Sequence, residues 1–317
     1  MHASYDAPMF SGPVLVTGAG GFVGTHLLAR AEESRIAASA ATIDLRSLEA
    51  VRRAIAESHA GAVIHLASAR KDGPGGLCAA LADDALMATN LLAAVAELSP
   101  DAPVLVAGSA AQYGLGAPHR LPESAPLAPV GAYGAAKTAL ELACAGREAP
   151  RVVWARTFNL LGPGQRPDAP VAAWARQLVE VERGRGDTIR TGRLDGVRDF
   201  LDVRDAADAY LALLASAAAG PVNVCSGDGL SLDEILDTMI ALSPARPRVE
   251  RDVALERSVD PPHVVGDPGH LHALTGWEPR RPLEESLRDV LAEWRDRASA
   301  RGPRAEEGSR AEEAPAP

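Results

Sequence analysis

The chain has 317 residues, of which 47% are hydrophobic and 23% charged, and carries a formal net charge of −10 at pH 7. That composition suits a globular protein in water, long enough for one large core or two modest ones, and argues against a nucleic-acid surface, which needs a basic stripe. No unbroken apolar run reaches the roughly 18 residues of a membrane span, and the N-terminus MHASYDAPMFSGP lacks the cationic start and apolar stretch of a signal peptide.

In chain order, Val14-Leu15-Val16 reads as a buried strand, the glycine-rich run Gly18 to Gly24 follows, and FVGTHLLARAEES has helical period. The second strand is expected near RIAAS, and ATIDL, AVIHLAS, PVLVAGS and RVVWARTFN are further short apolar runs. LEAVRRAIAES and MATNLLAAVAEL between them are helical. Strands alternating with helices predict βαβ units and a parallel sheet covered on both faces. After Asn159 the alternation becomes irregular. PVAAWARQLVEVERG reads as a helix, TIRTGRLDGVRDFLDVRDAADAYLALLASA as a strand and a helix, and Ser231 with Glu234 as a capping box opening LDEILDTMIAL. A last amphipathic helix runs through LEESLRDVLAEWRDRA, and residues 299–317 read as a disordered tail. Cys78, Cys144 and Cys225 are far apart and odd in number, which fits reduced thiols and a cytoplasmic location.

Thr17-Gly18-Ala19-Gly20-Gly21-Phe22-Val23-Gly24 joins a strand to a helix. A dinucleotide pyrophosphate needs that arrangement: a tight turn, close backbone approach and a helix N-terminus aimed at the charge. No Lys-Ser/Thr follows the last glycine, which disfavours a P-loop. The expected second strand ends without Asp or Glu, so nothing there selects NAD over NADP. Arg30 or Arg35 could meet a 2′-phosphate, and Asp44 comes late enough to face the adenine.

Only two lysines, Lys71 and Lys137, stand among 30 arginines. The bias toward Ala, Arg and Pro suggests GC-rich coding, which makes a lysine at a helical site noticeable. Lys137 lies four residues after Tyr133 in YGAAKTALELACAG, so the two share a helix face. One cation about 4 Å from a phenol, at an effective dielectric near 20, is worth roughly 4 kcal/mol or three pKa units. That predicts a Tyr133 tuned downward for acid–base work. VLVAGS ends in Ser109 at the C-terminal edge of a strand, where a substrate oxygen would sit.

VTGAGGFVG, VIHLAS, GSAAQYG, YGAAK, RTFNLLGPGQ, VRDFLDVRDAADAY and VNVCSG together resemble the extended short-chain dehydrogenase/reductase family of nucleotide-sugar enzymes, across nearly the whole chain to about residue 298. FNLLGPGQ, IRTGRLDGVRDFLDVRD, VCSGDGLSLDEIL and VVGDPGHLHALTGWEPRRPLEESL carry a narrower resemblance to its GDP-4-keto-6-deoxy-D-mannose reductase branch. The resemblance implies a Rossmann-type doubly wound parallel sheet with a smaller C-terminal α/β substrate-binding domain. Residues 1–160 plus about 197–217 would form the dinucleotide-binding domain, and about 161–196 with 218–298 the nucleotide-sugar-binding domain. It implies NAD or NADP as cofactor, a nucleotide-diphosphate sugar as substrate, and a homodimer built on the Ala- and Leu-rich helices around Asn90 and Tyr133. Gly18, Gly21 and Gly24 would hold the pyrophosphate with Phe22 and Val23 beside it. Asp44 and Leu45 would lie at the adenine and Ala67 in the cofactor groove. Tyr133 would donate the proton, Lys137 hold the nicotinamide ribose, and Ser109 bind the reacting carbonyl. Ser68, Asn159, Arg198 and Arg257 would contact substrate, the arginines through its diphosphate or nucleoside.

Relatives that eliminate water carry glutamate two residues before the position of Tyr113, and those that epimerise before reducing carry cysteine. Here that residue is Ala111, which cannot move protons. Reduction of a 4-keto-6-deoxy sugar is therefore the expected reaction, with 4-epimerisation on tightly bound NAD as the alternative and a non-catalytic dinucleotide-binding regulator as a third. No HExxH or CxxC cluster supports a metal, and His270 and His272 are expected on a helix near Trp277. His65 is expected in the core at a strand end. ARKDGPGGLCAALADD, residues 69–84, reads as an atypical loop near the sugar, with Lys71 in it.

Overall fold

The computed structural model describes residues 10–69, 76–114, 119–145, 149–256 and 260–300. Lys71, Arg257 and residues 301–317 of the expected tail lie outside the described residues. The first half alternates as expected: β1 (Val14–Thr17), α1 (Phe22–Glu33), β2 (Ala38–Ala41), α2 (Leu48–Ser58), β3 (Ala62–His65), α3 (Gly76–Leu98), β4 (Val104–Ala107), a 3-10 turn (Ala110–Tyr113), α4 (Ala132–Cys144) and β5 (Val152–Thr157). Then come β6 (Asn159–Leu161), α5 (Pro170–Glu182), β7 (Thr188–Thr191), β8 (Val197–Asp202), α6 (Val203–Ala215) and β9 (Gly220–Val224). β10 (Gly229–Ser231), α7 (Leu232–Ala241), β11 (Arg248–Arg251), β12 (His263–Val264), α8 (Gly269–Thr275) and α9 (Leu283–Ala300) complete the chain.

Six parallel strands form the central sheet in the order β2-β1-β3-β4-β5-β9. Successive strand residues face opposite sides. Val14 and Val16 therefore pack with Leu27 of α1 and Leu213 of α6, while Leu15 between them packs with Leu91, Leu92 and Val95 of α3. Both faces are covered, which is why these strands are unbroken apolar runs. α1 turns Gly24, Leu27 and Ala31, spaced three and four, toward the sheet. Full burial of each leucine contributes about 1.5–3 kcal/mol. The chain reverses direction across the sheet between β1 and β3, and ligands of such sheets lie at the strands' C-terminal ends beside that reversal. The fold is the Rossmann-type sheet that the resemblance implies.

Around it sits a smaller assembly. β8 pairs with β10, β12 and β6, β7 pairs with β11, and α5, α7 and α9 share a second core containing Trp174, Leu178, Ile189, Ile235 and Leu291. Ser231 and Glu234 form the expected capping box of α7.

Three expectations change. β9 was placed with residues 218–298 of the smaller domain, but it hydrogen-bonds to β5 and is the sixth strand of the central sheet. The second strand, Ala38–Ala41, begins within RIAAS, near where it is expected, and pairing in register with Val14–Thr17 fixes it there. The expected loop 69–84 is helical from Gly76, where Leu77, Ala80 and Leu81 extend α3. The segment after Thr188 supplies two strands, β7 and β8, rather than one. Among the described residues only α3 is long and apolar enough to cross a bilayer; it packs against α2 and α4.

Candidate active site

Gly18 has φ +72, and a Cβ there would lie 2.6 Å from the Ala67 backbone nitrogen. The glycine thus lets β1's exit pass directly against β3's exit. A Cβ on Gly24 would meet the Gly18 carbonyl at 2.5 Å, while one on Gly20 would meet nothing within 4 Å. The turn is closed underneath and open above. Gly21 caps α1 without a side-chain hydrogen bond, and the first turn holds no acidic residue. The helix N-terminus therefore keeps its positive end for an outside anion, which fits a dinucleotide pyrophosphate. Phe22 and Val23 open that helix.

At the adenine end, Asp44 is exposed and accepts hydrogen bonds from the Arg46 amide and guanidinium, which hold its carboxyl below the usual range. Leu45 buries its side chain in the core, so only its backbone is available to a ligand; its carbonyl accepts from Asn90 at 3.0 Å. Arg30 is not available for a 2′-phosphate in the way the sequence suggests, because Asp208 of α6 holds it at 2.8 Å. Arg35 is exposed.

Ser109, Tyr133 and Lys137 converge at the C-terminal edge of the sheet. Ser109 ends the β4 exit and caps the 3-10 turn, where its hydroxyl accepts from the Ala111 amide at 3.2 Å. Gly134 lets α4 approach that turn: a Cβ there would lie 2.4 Å from the Ala111 carbonyl oxygen. This approach brings the Tyr133 phenol into hydrogen bonding with Ser109. The Lys137 ammonium lies 6.0 Å from the centre of the Tyr133 ring and donates to the Ala107 carbonyl at 3.2 Å. The expected downward tuning of Tyr133 by Lys137 is not what the site does. Burial pushes the phenol up, the Ser109 hydrogen bond opposes this, and the Asp84 carboxylate adds to it. The shared helix face was legible, and the ammonium bonds the Ala107 backbone carbonyl.

His65 at the end of β3 is buried as expected and hydrogen-bonds Thr17 Oγ1 through Nδ1 at 2.7 Å. Burial, with the Lys137 cation second, drives its imidazole down to about 3. Two further groups face Tyr133 without a sequence signal: Asp84 of α3 and Tyr210 of α6. Asp84 accepts from Ser68 Oγ at 2.9 Å and from the Ala69 amide at 2.6 Å. Tyr210 is buried against Thr157 Oγ1 at 2.6 Å and pushed up to about 12, by burial first, with Tyr133 contributing.

Among the expected substrate contacts, Ser68 is exposed with its hydroxyl on Asp84. Asn159 is exposed on β6 and anchored to the Asp199 carbonyl at 3.0 Å. Arg198 is buried and ion-paired to Asp260 at 2.6 Å, so this guanidinium already has one carboxylate. A groove of about 560 Å³ beside β7 and β11 is lined by Thr191, Gly192, Leu194, Val249 and Arg251, among others. His270 and His272 lie on α8, and His272 reaches the Trp277 carbonyl at 3.4 Å.

Beneath the catalytic edge runs a buried polar chain. Glu141, one turn beyond Lys137 on the same face, receives both ends of the Arg156 guanidinium and the Gln112 amide. Gln112 accepts from the Ser109 amide at 3.0 Å. Arg156 also donates to the Tyr113 hydroxyl at 2.9 Å, and Tyr113 donates to Asn223 of β9 at 2.7 Å.

Comparison with known proteins agrees with this geometry. Residues 14–225 match the model of the NAD dependent epimerase/dehydratase family. GDP-6-deoxy-D-mannose reductase of Pseudomonas aeruginosa is 36% identical over 170 residues, a match spanning 52% of the chain and 56% of that reductase. GDP-6-deoxy-D-talose 4-dehydrogenase of Aggregatibacter actinomycetemcomitans is 27% identical across 88% of the chain and 98% of its own length. The solved structure of RMD from Pseudomonas aeruginosa complexed with NADPH superposes with a TM-score of 0.79 at 30% identity, covering 90% of the chain and all of that protein. The closed-and-open glycine turn, the sheet order and the matched residues place the chain in the NAD dependent epimerase/dehydratase family, the extended short-chain dehydrogenase/reductases that work on nucleotide sugars.

Proposed function

We propose that the protein reduces a nucleotide-linked 4-keto-6-deoxy sugar, a GDP-4-keto-6-deoxy-D-mannose reductase-like activity, with NADH or NADPH. The carrying observation is the convergence of Ser109, Tyr133 and Lys137 beside the glycine cradle, with Ala111 in place of a proton-carrying side chain. The reduced nicotinamide supplies a hydride for C4. Ser109 donates to the carbonyl oxygen and polarises it. Tyr133 gives that oxygen its phenolic proton as negative charge develops. Burial pushes the Tyr133 phenol up and the Ser109 hydrogen bond opposes this, so Ser109 also serves to bring Tyr133 toward proton transfer. Lys137, held by the Ala107 carbonyl, is assigned to the nicotinamide ribose. Ser68, Asn159, Arg198 and Arg257 are assigned to the substrate side. For Arg198 this requires Asp260 to share the guanidinium with a phosphate.

The similarity to GDP-6-deoxy-D-mannose reductase supports the reduction reading, and the likeness to RMD complexed with NADPH supports a nicotinamide cofactor. Exposed Leu86 of α3 and Leu142 of α4, 44% and 61% accessible, support a homodimer through these helices. The cysteine usage supports a cytoplasmic location. The test is consumption of NADPH or NADH with GDP-4-keto-6-deoxy-D-mannose, followed by product identification. Net oxidation of cofactor with formation of a GDP-6-deoxyhexose is expected. Interconversion of a sugar nucleotide without net cofactor use would replace reduction with 4-epimerisation.

A further inference from the structure

We propose that Gln112 is a positioning residue that acts through Ser109: held in one orientation by the buried Glu141–Arg156 pair, its side-chain amide fixes the Ser109 backbone and so aims the serine hydroxyl at the substrate oxygen. The inference rests on the reading of Ser109 as the group that polarises the carbonyl.

The end of β4 is gripped at three consecutive residues. The Ala107 carbonyl accepts from the Lys137 ammonium at 3.2 Å, the Gly108 amide donates to the Ala155 carbonyl of β5 at 2.8 Å, and the Ser109 amide donates to Gln112 Oε1 at 3.0 Å. Gly108 makes the third grip possible. A Cβ there would lie 2.9 Å from Gln112 Oε1, so the glycine leaves room for the Gln112 amide to fold back over the chain. The Ser109 hydroxyl itself accepts from the Ala111 amide at 3.2 Å, which leaves its hydrogen for an oxygen across the site.

A carboxylate, which offers only acceptors, sets the direction of the Gln112 amide. Gln112 Nε2 donates to Glu141 Oε2 at 2.6 Å; Arg156 donates to the same oxygen through Nε at 3.0 Å and to Glu141 Oε1 through Nη2. Gln112, Glu141 and Arg156 are 0%, 5% and 3% exposed, so water does not compete for these groups. Turning the amide over would set its carbonyl against the carboxylate and its NH2 against the Ser109 N–H, two like-to-like contacts with no solvent to relieve them. Glu141 stands one turn beyond Lys137 on α4, and Arg156 lies on β5 and donates to the Tyr113 hydroxyl at 2.9 Å. The helix that carries Tyr133 and Lys137 therefore also sets the Ser109 backbone, which keeps the three groups in register. An apolar side chain would fill the same volume; one with an acceptor also ties the serine.

Gln112→Met keeps the length of the side chain and leaves the Glu141–Arg156 pair in place while removing the acceptor. The test is a double-mutant cycle with Ser109→Ala, read as turnover of GDP-4-keto-6-deoxy-D-mannose with NADPH. With Ser109 present, Gln112→Met is expected to lower kcat about 10–100-fold, with KM for NADPH changed less than about twofold. In the Ser109→Ala background the same substitution should change kcat by less than about twofold, because the group it positions is gone. An equal loss in both backgrounds overturns the proposal, since a brace of the whole fold would act with or without the serine hydroxyl, and so does no loss in either. Amide hydrogen exchange gives a reading without sugar. In Gln112→Met the Ser109 amide should exchange about tenfold faster while the Gly108 amide, held by Ala155, is unchanged; an unmoved Ser109 amide overturns the proposal. Should Gln112→Met fail to fold, Gln112→Leu removes the same acceptor and is read in the same way. Absence of turnover by the wild-type protein would count against the reductase reading, and the exchange measurement would still decide whether Gln112 holds Ser109.

Discussion

The two parts of the molecule bury polar groups by different rules. Around β8 and α6 the buried groups are carboxylates saturated with donors. Asp199 accepts from the Ser226 amide and hydroxyl and from the amides of Gly227 and Gly266. Asp202 takes Arg204 and Ser286, and Asp205 takes the amides of Arg280 and Arg281. At the C-terminal edge of the large sheet, above the buried Glu141–Arg156 pair, stand a buried imidazole, a buried ammonium and a half-buried phenol, His65, Lys137 and Tyr133, with the Asp84 carboxylate nearby. A carboxylate with all its lone pairs taken is a fastener. A proton donor in a shell that opposes its ionisation is a reagent.

That contrast can be broken most severely at Tyr133. Tyr133→Phe should lower turnover by about 10²–10⁴-fold while leaving the melting temperature nearly unchanged, as activity and calorimetry on one sample would show; near-normal turnover would remove Tyr133 from the mechanism. The fastener side should respond in the opposite sense. Asp199→Ala strands four donors and should cost about 3 kcal/mol or more in denaturant unfolding. Next is Gly18→Ala, which forces a side chain into positive φ against the Ala67 backbone. About 1–3 kcal/mol of strain is expected, together with weakened NAD(P)H binding by fluorescence titration, whereas Gly20→Ala should be nearly silent in stability.

A graded probe is pH. His65 has a folded value near 3, below its ordinary 6.5. The unfolded chain therefore binds the proton first as pH falls. The stability contributed by neutral His65 is complete above about 6.5 and is lost at up to roughly 1.4 kcal/mol per unit as pH drops toward 3. Glu182, which Arg295 and Ser243 hold below the usual carboxylate range, keeps its contribution above about 4.5 and loses it only as pH falls through its lowered folded value. Acid should thus loosen the large sheet before it reaches the α5–α9 contact. His65→Gln should flatten the stability profile between about pH 6.5 and 4.5.

The fastener and the reagent also differ in how well the sequence announces them. The glycine turn and the Tyr133–Lys137 spacing were legible because both are local: a loop with a positive-φ glycine, and two residues one helical turn apart. Ser109 was legible as the end of an apolar run. Asp84 was not, because its contact with Ser68 depends on α3 laying one residue against the exit of β3, and the surrounding ARKDGPGGLCAALADD reads as loop chemistry. The sign of the Tyr133 shift was missed for a related reason. Spacing fixes which face a side chain occupies, but burial decides the direction of the shift. β9 was assigned to the wrong unit because its sheet neighbour, β5, lies more than 60 residues earlier and only the folded topology joins them.

The 3-10 turn after Ser109 has a consequence for redesign. Ser109, Gln112 and Tyr113 are each tied down, to Ala111 and Tyr133, to Glu141, and to Asn223 respectively, while half-buried Ala111 has a methyl side chain that forms no hydrogen bond. One position in the catalytic wall is thereby a vacancy in side-chain chemistry on an otherwise fixed frame. A new acid or thiol could be installed at Ala111 with its neighbours already braced, so the repertoire of this scaffold can widen through a single codon without rebuilding its foundations.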